Sequence, residues 1–121
     1  NLKDKKKKHG IGLNYAFNGL KEAFIRERNF RIHLIIAFFV IIFSLYVKLS
    51  PIEWMFIIIA IQTVLISELV NSLIERIIDY MKPEYHIQAK IIKDIAAGVV
   101  LIAAIASIII GLFIFVPKLF L

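Results

Sequence analysis

The chain has 121 residues, 60% of them apolar, no cysteine, and a formal net charge of +6. A soluble domain of this size cannot bury so much apolar surface. A soluble enzyme, a nucleic-acid-binding domain and a disordered chain are therefore excluded, as are disulfides, thiolate metal sites and a cysteine nucleophile. Mean hydropathy is +0.84, and the bilayer is the natural solvent.

The basic excess is local. Lys3, Lys5, Lys6, Lys7 and Lys8 form a run opposed only by Asp4. The run, within an arm over 1–12, reads as solvated and in contact with anionic headgroups. A polar segment follows it, which is not the pattern of a signal peptide. From Leu13 to Phe30 the pattern is amphipathic. Leu13, Phe17, Leu20 and Phe24 recur on one helical face, which predicts a surface helix over 13–30 in the headgroup plane.

Three hydrophobic segments predict membrane-spanning helices over about 31–49, 52–80 and 91–116. Ser50-Pro51 breaks the first from the second, and Pro117 ends the third. Trp54 is placed as an interface anchor. The region through Arg31 holds nine of the fifteen basic residues. The excess of Lys and Arg puts the N-terminus and the second linker in the cytoplasm and the first turn outside. The expected fold is all-α: a surface helix plus three spans, forming one membrane domain over 13–121.

The inner end of the second span carries the chemistry. Glu68, Asn71, Glu75 and Asp79 are spaced i, i+3, i+7 and i+11, within an arc of about 80° on one helix face. Ser72 borders them. No basic partner lies on that face. From Ile52 to Glu68 the helix rises about 24 Å, so Glu68 sits near the inner edge of a hydrocarbon layer about 30 Å thick. A carboxylate at that depth is a functional candidate by default, suited to a general base acting on a lipid hydroxyl. Asp79 also reads as a solvated helix end.

Other polar groups gather on the same side. Glu27 and Arg31 are one turn apart and read as a surface pair. His33 lies just inside the first span, Glu84, Tyr85 and His86 in the linker, and Lys93 and Asp94 at the start of the third span. Together they offer acids for a divalent cation and a cation for phosphate, the requirements of phosphoryl transfer. There is no G-x-x-x-x-G-K-[ST] loop, and His9, His33 and His86 are too scattered for zinc. An ion-conducting subunit is disfavoured because no acids continue across the outer half. A scaffold packed through Ala103, Ser107 and Gly111 is the other alternative, and those small residues, equally expected in an oligomeric enzyme, do not discriminate.

These residues match a known pattern. Glu68-Leu-Val-Asn71-Ser72-Leu-Ile-Glu75-Arg-Ile-Ile-Asp79, then Glu84-Tyr85-His86, then Lys93-Asp94 resembles the signature of the prokaryotic integral-membrane diacylglycerol kinase and undecaprenol kinase family. Glu27-Arg-Asn-Phe30-Arg31 is similar to the family's segment before its first span. The resemblance covers nearly all the chain after the lysine arm. It implies a homotrimeric, ATP- and Mg²⁺-dependent lipid kinase in the bacterial cytoplasmic membrane, with sites between protomers. It implies Glu68 as the catalytic base, Glu27 and Glu75 on the metal, and Tyr15, Glu27, Glu75, Glu84, Tyr85, His86, Lys93 and Asp94 around the nucleotide. Asn71 and Asp79 would support the cluster. Near the implied lipid path lie Arg31, His33 and Ala97. Diacylglycerol-specific members often carry an acid where this chain has His33, and serine where it has Ala97. Those departures look more like the branch that phosphorylates undecaprenol. The partners implied are ATP, a membrane lipid alcohol and further copies of the chain, with no nucleic acid.

Overall fold

The computed structural model describes residues 12–81 and 86–121. The lysine run, Glu84 and Tyr85 lie outside these residues. The described chain is entirely helical in its regular structure: α1 (Gly12–Arg26), α2 (Arg28–Val47), α3 (Pro51–Met81) and α4 (Ile87–Phe120). Helices α2, α3 and α4 are each long and apolar enough to cross a membrane.

α1 keeps Leu13, Phe17 and Phe24 exposed, as an interfacial helix requires when its apolar face meets lipid. It stops earlier than the amphipathic pattern predicts, at Arg26 rather than Phe30. The cause is local. Glu27 adopts an extended backbone (φ −106°, ψ 102°). Its N–H still bonds to the Ala23 carbonyl at 2.8 Å, and its own carbonyl accepts from Arg31 N at 3.2 Å, starting α2. Arg31 Nη1 then donates to the Phe24 and Ile25 carbonyls, both at 2.8 Å. A guanidinium at a helix C-terminus satisfies carbonyls that have no intrahelical partner and complements the helix dipole. Phe30, expected on the surface helix, is buried at the start of α2.

The turn between α2 and α3 is built by chemistry that the hydropathy pattern does not display. Lys48 is left-handed (φ 57°), and its N–H bonds to the Ser44 carbonyl. Pro51 opens α3, where its fixed φ suits the first helical position. Ser50 and Glu53 form a reciprocal cap: Ser50 N donates to Glu53 Oε1 at 2.8 Å, and Glu53 N to Ser50 Oγ at 3.3 Å. Lys118 Nζ closes this end from α4, 3.0 Å from Glu53 Oε1 and 3.3 Å from the Lys48 carbonyl.

α4 lies along most of α3, and α2 packs against α3 on a shorter front. Small residues permit the approach of α3 and α4: Ala60 and Ala103 are buried, and Ser107 Oγ donates to the Ala60 carbonyl at 3.0 Å. The buried apolar cluster of Leu49, Ile57 and Ile114, with Trp54 and Phe115 against it, sits toward the Pro51 end. The expected stop at Pro117 is not seen. α4 continues to Phe120, because proline there removes only one helical donor, and Leu121 N closes the next turn on the Pro117 carbonyl at 3.0 Å.

α3 has 31 residues and α4 has 34, about 46 and 51 Å long. Both exceed a hydrocarbon layer of about 30 Å. The surplus of α3 lies at the α1 end of the bundle, and it carries the acids.

Candidate active site

The four polar positions of α3 descend from the interior to the surface. Glu68 is 3% exposed and Asn71 is 8% exposed, whereas Glu75 and Asp79 are exposed. No basic partner lies on this face of α3, but all four positions reach partners: Asn71 and Glu75 each other, Glu68 and Asp79 side chains of other helices. His33 Nε2 of α2 lies 3.0 Å from Glu68 Oε2. Asn71 Nδ2 donates to Glu75 Oε1 at 3.2 Å. Lys93 Nζ of α4 is 2.6 Å from Asp79 Oδ1. A helical wheel of α3 alone hides these partners, because they come from turns of α2 and α4 that only the packing brings near.

Glu27 also differs from expectation. Arg31 is drawn to the carbonyls of α1, so it does not pair with Glu27. Arg76 Nε meets Glu27 Oε1 at 2.9 Å instead. That bond links the α1–α2 junction to the turn of α3 that holds Glu75. The extended Glu27 makes no side-chain cap on α2; its carboxylate turns to Arg76 instead. Arg76 was not singled out from the sequence. Only its adjacency to Glu75 marks it, and nothing in the pattern forecasts a partner 49 residues away.

The remaining positions gather at the start of α4 or on α1. His86 is the N-cap of α4, its Nδ1 accepting from Gln88 N at 3.1 Å. Asp94 Oδ2 pairs with Lys90 Nζ at 2.5 Å. Lys93 and Asp94 thus sit one turn or two inside α4, beside the end of α3. Tyr15 is exposed on α1. Ala97 is exposed on α4, next to buried Ala96.

The described residues contain no group of three or more His, Asp or Glu able to hold a metal ion by themselves. They do contain hard oxygen donors of the kind that suits Mg²⁺ when phosphate supplies the other ligands. Glu27 and Glu75 are such donors. Asn71 Oδ1 is buried without a hydrogen-bond partner among the described residues, and a buried acceptor left unpaired costs about 1–3 kcal/mol. The cluster therefore has acceptor capacity that no described residue uses, and its oxygen donors are of the chemical type a magnesium–phosphate complex would take.

One further feature was not legible in the sequence. A groove of about 360 Å³ runs between α2, α3 and α4, from His33 past Ala37, Val64 and Ala60 to Gly111 and Phe115. Its polar side chains are His33 and Ser107, and the Ser107 hydroxyl is already committed to Ala60. Neither Arg31 nor Ala97 lines it. The groove is an apolar channel whose two polar side chains both have protein partners, and it ends at the histidine touching Glu68.

Comparison with known proteins gives an independent view. The family model for prokaryotic diacylglycerol kinase matches residues 14–115. Undecaprenol kinase of Bacillus subtilis (strain 168) is 44% identical over 105 residues, covering 87% of this chain and 85% of that protein. Diacylglycerol kinase of Synechocystis sp. is 38% identical over 110 residues, covering 90% of this chain and 63% of the relative. Diacylglycerol kinase of Escherichia coli (strain K12) is 30% identical over 95 residues, 78% of each chain.

Proposed function

We infer the reaction from the premise that this chain belongs to the prokaryotic diacylglycerol kinase family: it is a multi-pass membrane lipid kinase, and its acceptor is undecaprenol. The observation that carries the acceptor assignment is the apolar groove ending at His33 and, through it, at buried Glu68. A polyprenol has one hydroxyl at the end of a hydrocarbon chain, so an apolar groove that ends beside the His33–Glu68 pair suits it. Diacylglycerol would bring two ester carbonyls that find no donor along this lining, and unpaired polar groups are costly when buried. The identity with the Bacillus undecaprenol kinase supports the same choice.

In this reading Glu68 is the catalytic base. Its carboxylate accepts the hydroxyl proton as the lipid oxygen attacks the γ-phosphorus of ATP. The bond from that phosphorus to the β,γ-bridging oxygen breaks, and its electron pair leaves with ADP. Glu27 and Glu75 would hold Mg²⁺, which would supply charge neutralisation to the phosphates. Lys93 supplies a cation to the phosphates. Tyr15, Glu84, Tyr85, His86 and Asp94 complete the nucleotide site, while Asn71 supports the cluster through Glu75 and Asp79 braces the end of α3 against α4. Arg31 and Ala97 flank the acceptor path. The N-terminus, with most of the basic residues, faces the cytoplasm and its ATP, and the working unit is a homotrimer.

The test is transfer of labelled phosphate from ATP to a panel of purified lipid alcohols in mixed micelles, with and without Mg²⁺. Magnesium-dependent labelling of undecaprenol above every other acceptor supports the reading. Equal or greater labelling of diacylglycerol overturns the acceptor, and labelling without a divalent cation overturns the metal.

A further inference from the structure

We propose that His33 is a positioning residue for the base, acting through Glu68 rather than on substrate. This rests on the assignment of Glu68 above. His33 and Glu68 stand on different helices, α2 and α3, and their side chains meet at 3.0 Å between Nε2 and Oε2. The Glu68 side chain is 4% exposed and that of His33 is 25% exposed. A buried carboxylate with three rotatable bonds before its oxygens has no fixed direction of its own. An N–H from a neighbouring helix gives it one.

The chemistry of the contact is specific. An ionised carboxylate accepts and does not donate, so in this 3.0 Å contact the donor to Oε2 has to be His33 Nε2–H. Holding Oε2 leaves Oε1 as the oxygen that takes the lipid proton. The ring is itself held in a packed setting, since it forms the end wall of the groove alongside Ile36 and Ala37. Placing the base within a fraction of an ångström of the reacting hydroxyl has a large effect on rate, because misplacement by about 1 Å costs roughly 100-fold. His33 therefore acts on turnover, and nucleotide binding is left untouched. The donor must come from the far ring nitrogen. Glutamine places an amide N–H near the reach of Nε2, whereas asparagine is shorter and reaches only as far as Nδ1.

The experiment compares His33→Ala, His33→Gln and His33→Asn, alone and combined with Glu68→Gln, in the full-length protein. With undecaprenol as acceptor, kcat is expected to fall about tenfold or more for H33A and H33N. For H33Q it should stay within about threefold of wild type, and KM for ATP should be unchanged in all three. In the Glu68→Gln background, H33A should produce no further loss, since residues that work as one unit are non-additive. Three results overturn the proposal: H33A with wild-type turnover, H33Q as impaired as H33N, or H33A lowering the residual rate of E68Q by another tenfold. Should H33A fail to accumulate in the membrane, the H33Q and H33N pair carries the test. An E68Q protein with near-wild-type turnover would instead sink the base assignment beneath it, whatever the His33 variants do.

Discussion

Lys93 stands between two roles, and one substitution separates them. Lys93→Met removes the ion pair with Asp79, which joins the end of α3 to the start of α4 at 2.6 Å, with side chains 38% and 63% exposed. Ion pairs this accessible are screened, and their loss costs at most about 1 kcal/mol. The same ammonium, if it meets ATP phosphate, makes a charge-assisted hydrogen bond of about 1.5–3 kcal/mol, equivalent to about 10–150-fold in affinity. The two magnitudes do not overlap. Affinity for a non-hydrolysable ATP analogue with Mg²⁺, measured by calorimetry in detergent, is expected to drop within that range. Unfolding in a denaturing detergent titration should shift by no more than about 1 kcal/mol. Asp79→Asn is the control, because it breaks the same bridge and keeps the cation. It should reproduce the small stability change and leave ATP affinity within about threefold of wild type, below the effect of one hydrogen bond. If D79N and K93M weaken ATP binding equally, Lys93 works only as a strut between helices and the phosphate assignment is wrong.

Four other outcomes are expected. Glu68→Gln keeps an acceptor oxygen for His33 but cannot take a proton, so turnover should fall by about 100-fold or more with ATP affinity near normal; retention of over a tenth of the activity removes Glu68 from the role. Glu27→Gln or Glu75→Gln should raise the Mg²⁺ needed for half-maximal rate about tenfold, the lower range for weakening a metal site, and titrations that overlay wild type refute the ligand pair. In the same detergent at matched mole fraction, kcat/KM for undecaprenol should exceed that for diacylglycerol by about tenfold, or about 1.4 kcal/mol. Gly111→Leu places bulk in the groove beside Phe115, and overpacking of about 1–3 kcal/mol should lower kcat/KM for the polyprenol without changing KM for ATP, while Gly111→Ala, whose Cβ would sit 3.9 Å from the Phe115 ring, stays close to wild type.

The three spans are legible in the sequence because long apolar runs have few soluble alternatives, and the surface helix because its period is 3.6. The ends of these elements are less legible, for reasons that differ. α1 stops at Arg26 because Arg31 reaches back to its carbonyls, a contact that involves no break in amphipathicity. α3 begins at Pro51 because Ser50 and Glu53 cap it, and the spacing of that motif was present but unread. α4 passes through Pro117 because a proline so near the end of a helix removes little. In the site, the acids were visible from depth and spacing, since a carboxylate inside a span stands out. Their partners were not. The Glu68–His33, Asp79–Lys93 and Glu27–Arg76 pairs join positions 35, 14 and 49 residues apart, and no local period connects them. The groove was invisible for a similar reason: its walls are ordinary alanines and isoleucines, and only their arrangement leaves space.

The Glu27–Arg76 bond has a consequence for how the enzyme responds to its nucleotide. Glu27 forms the hinge between the surface helix and the first span, and Arg76 moors that hinge to α3 at 2.9 Å. A carboxylate already neutralised by a guanidinium attracts a dication less strongly, so the mooring and the magnesium binding proposed at Glu27 would oppose each other. Thermodynamic reciprocity then runs both ways: whatever free energy the mooring takes from metal affinity, the metal takes from the mooring. Arrival of the magnesium–ATP complex at Glu27 would slacken α1 on the membrane surface. Amide hydrogen exchange along Gly12–Arg26 should therefore quicken when the nucleotide site fills, with the junction serving as a tensioned cable that the substrate releases.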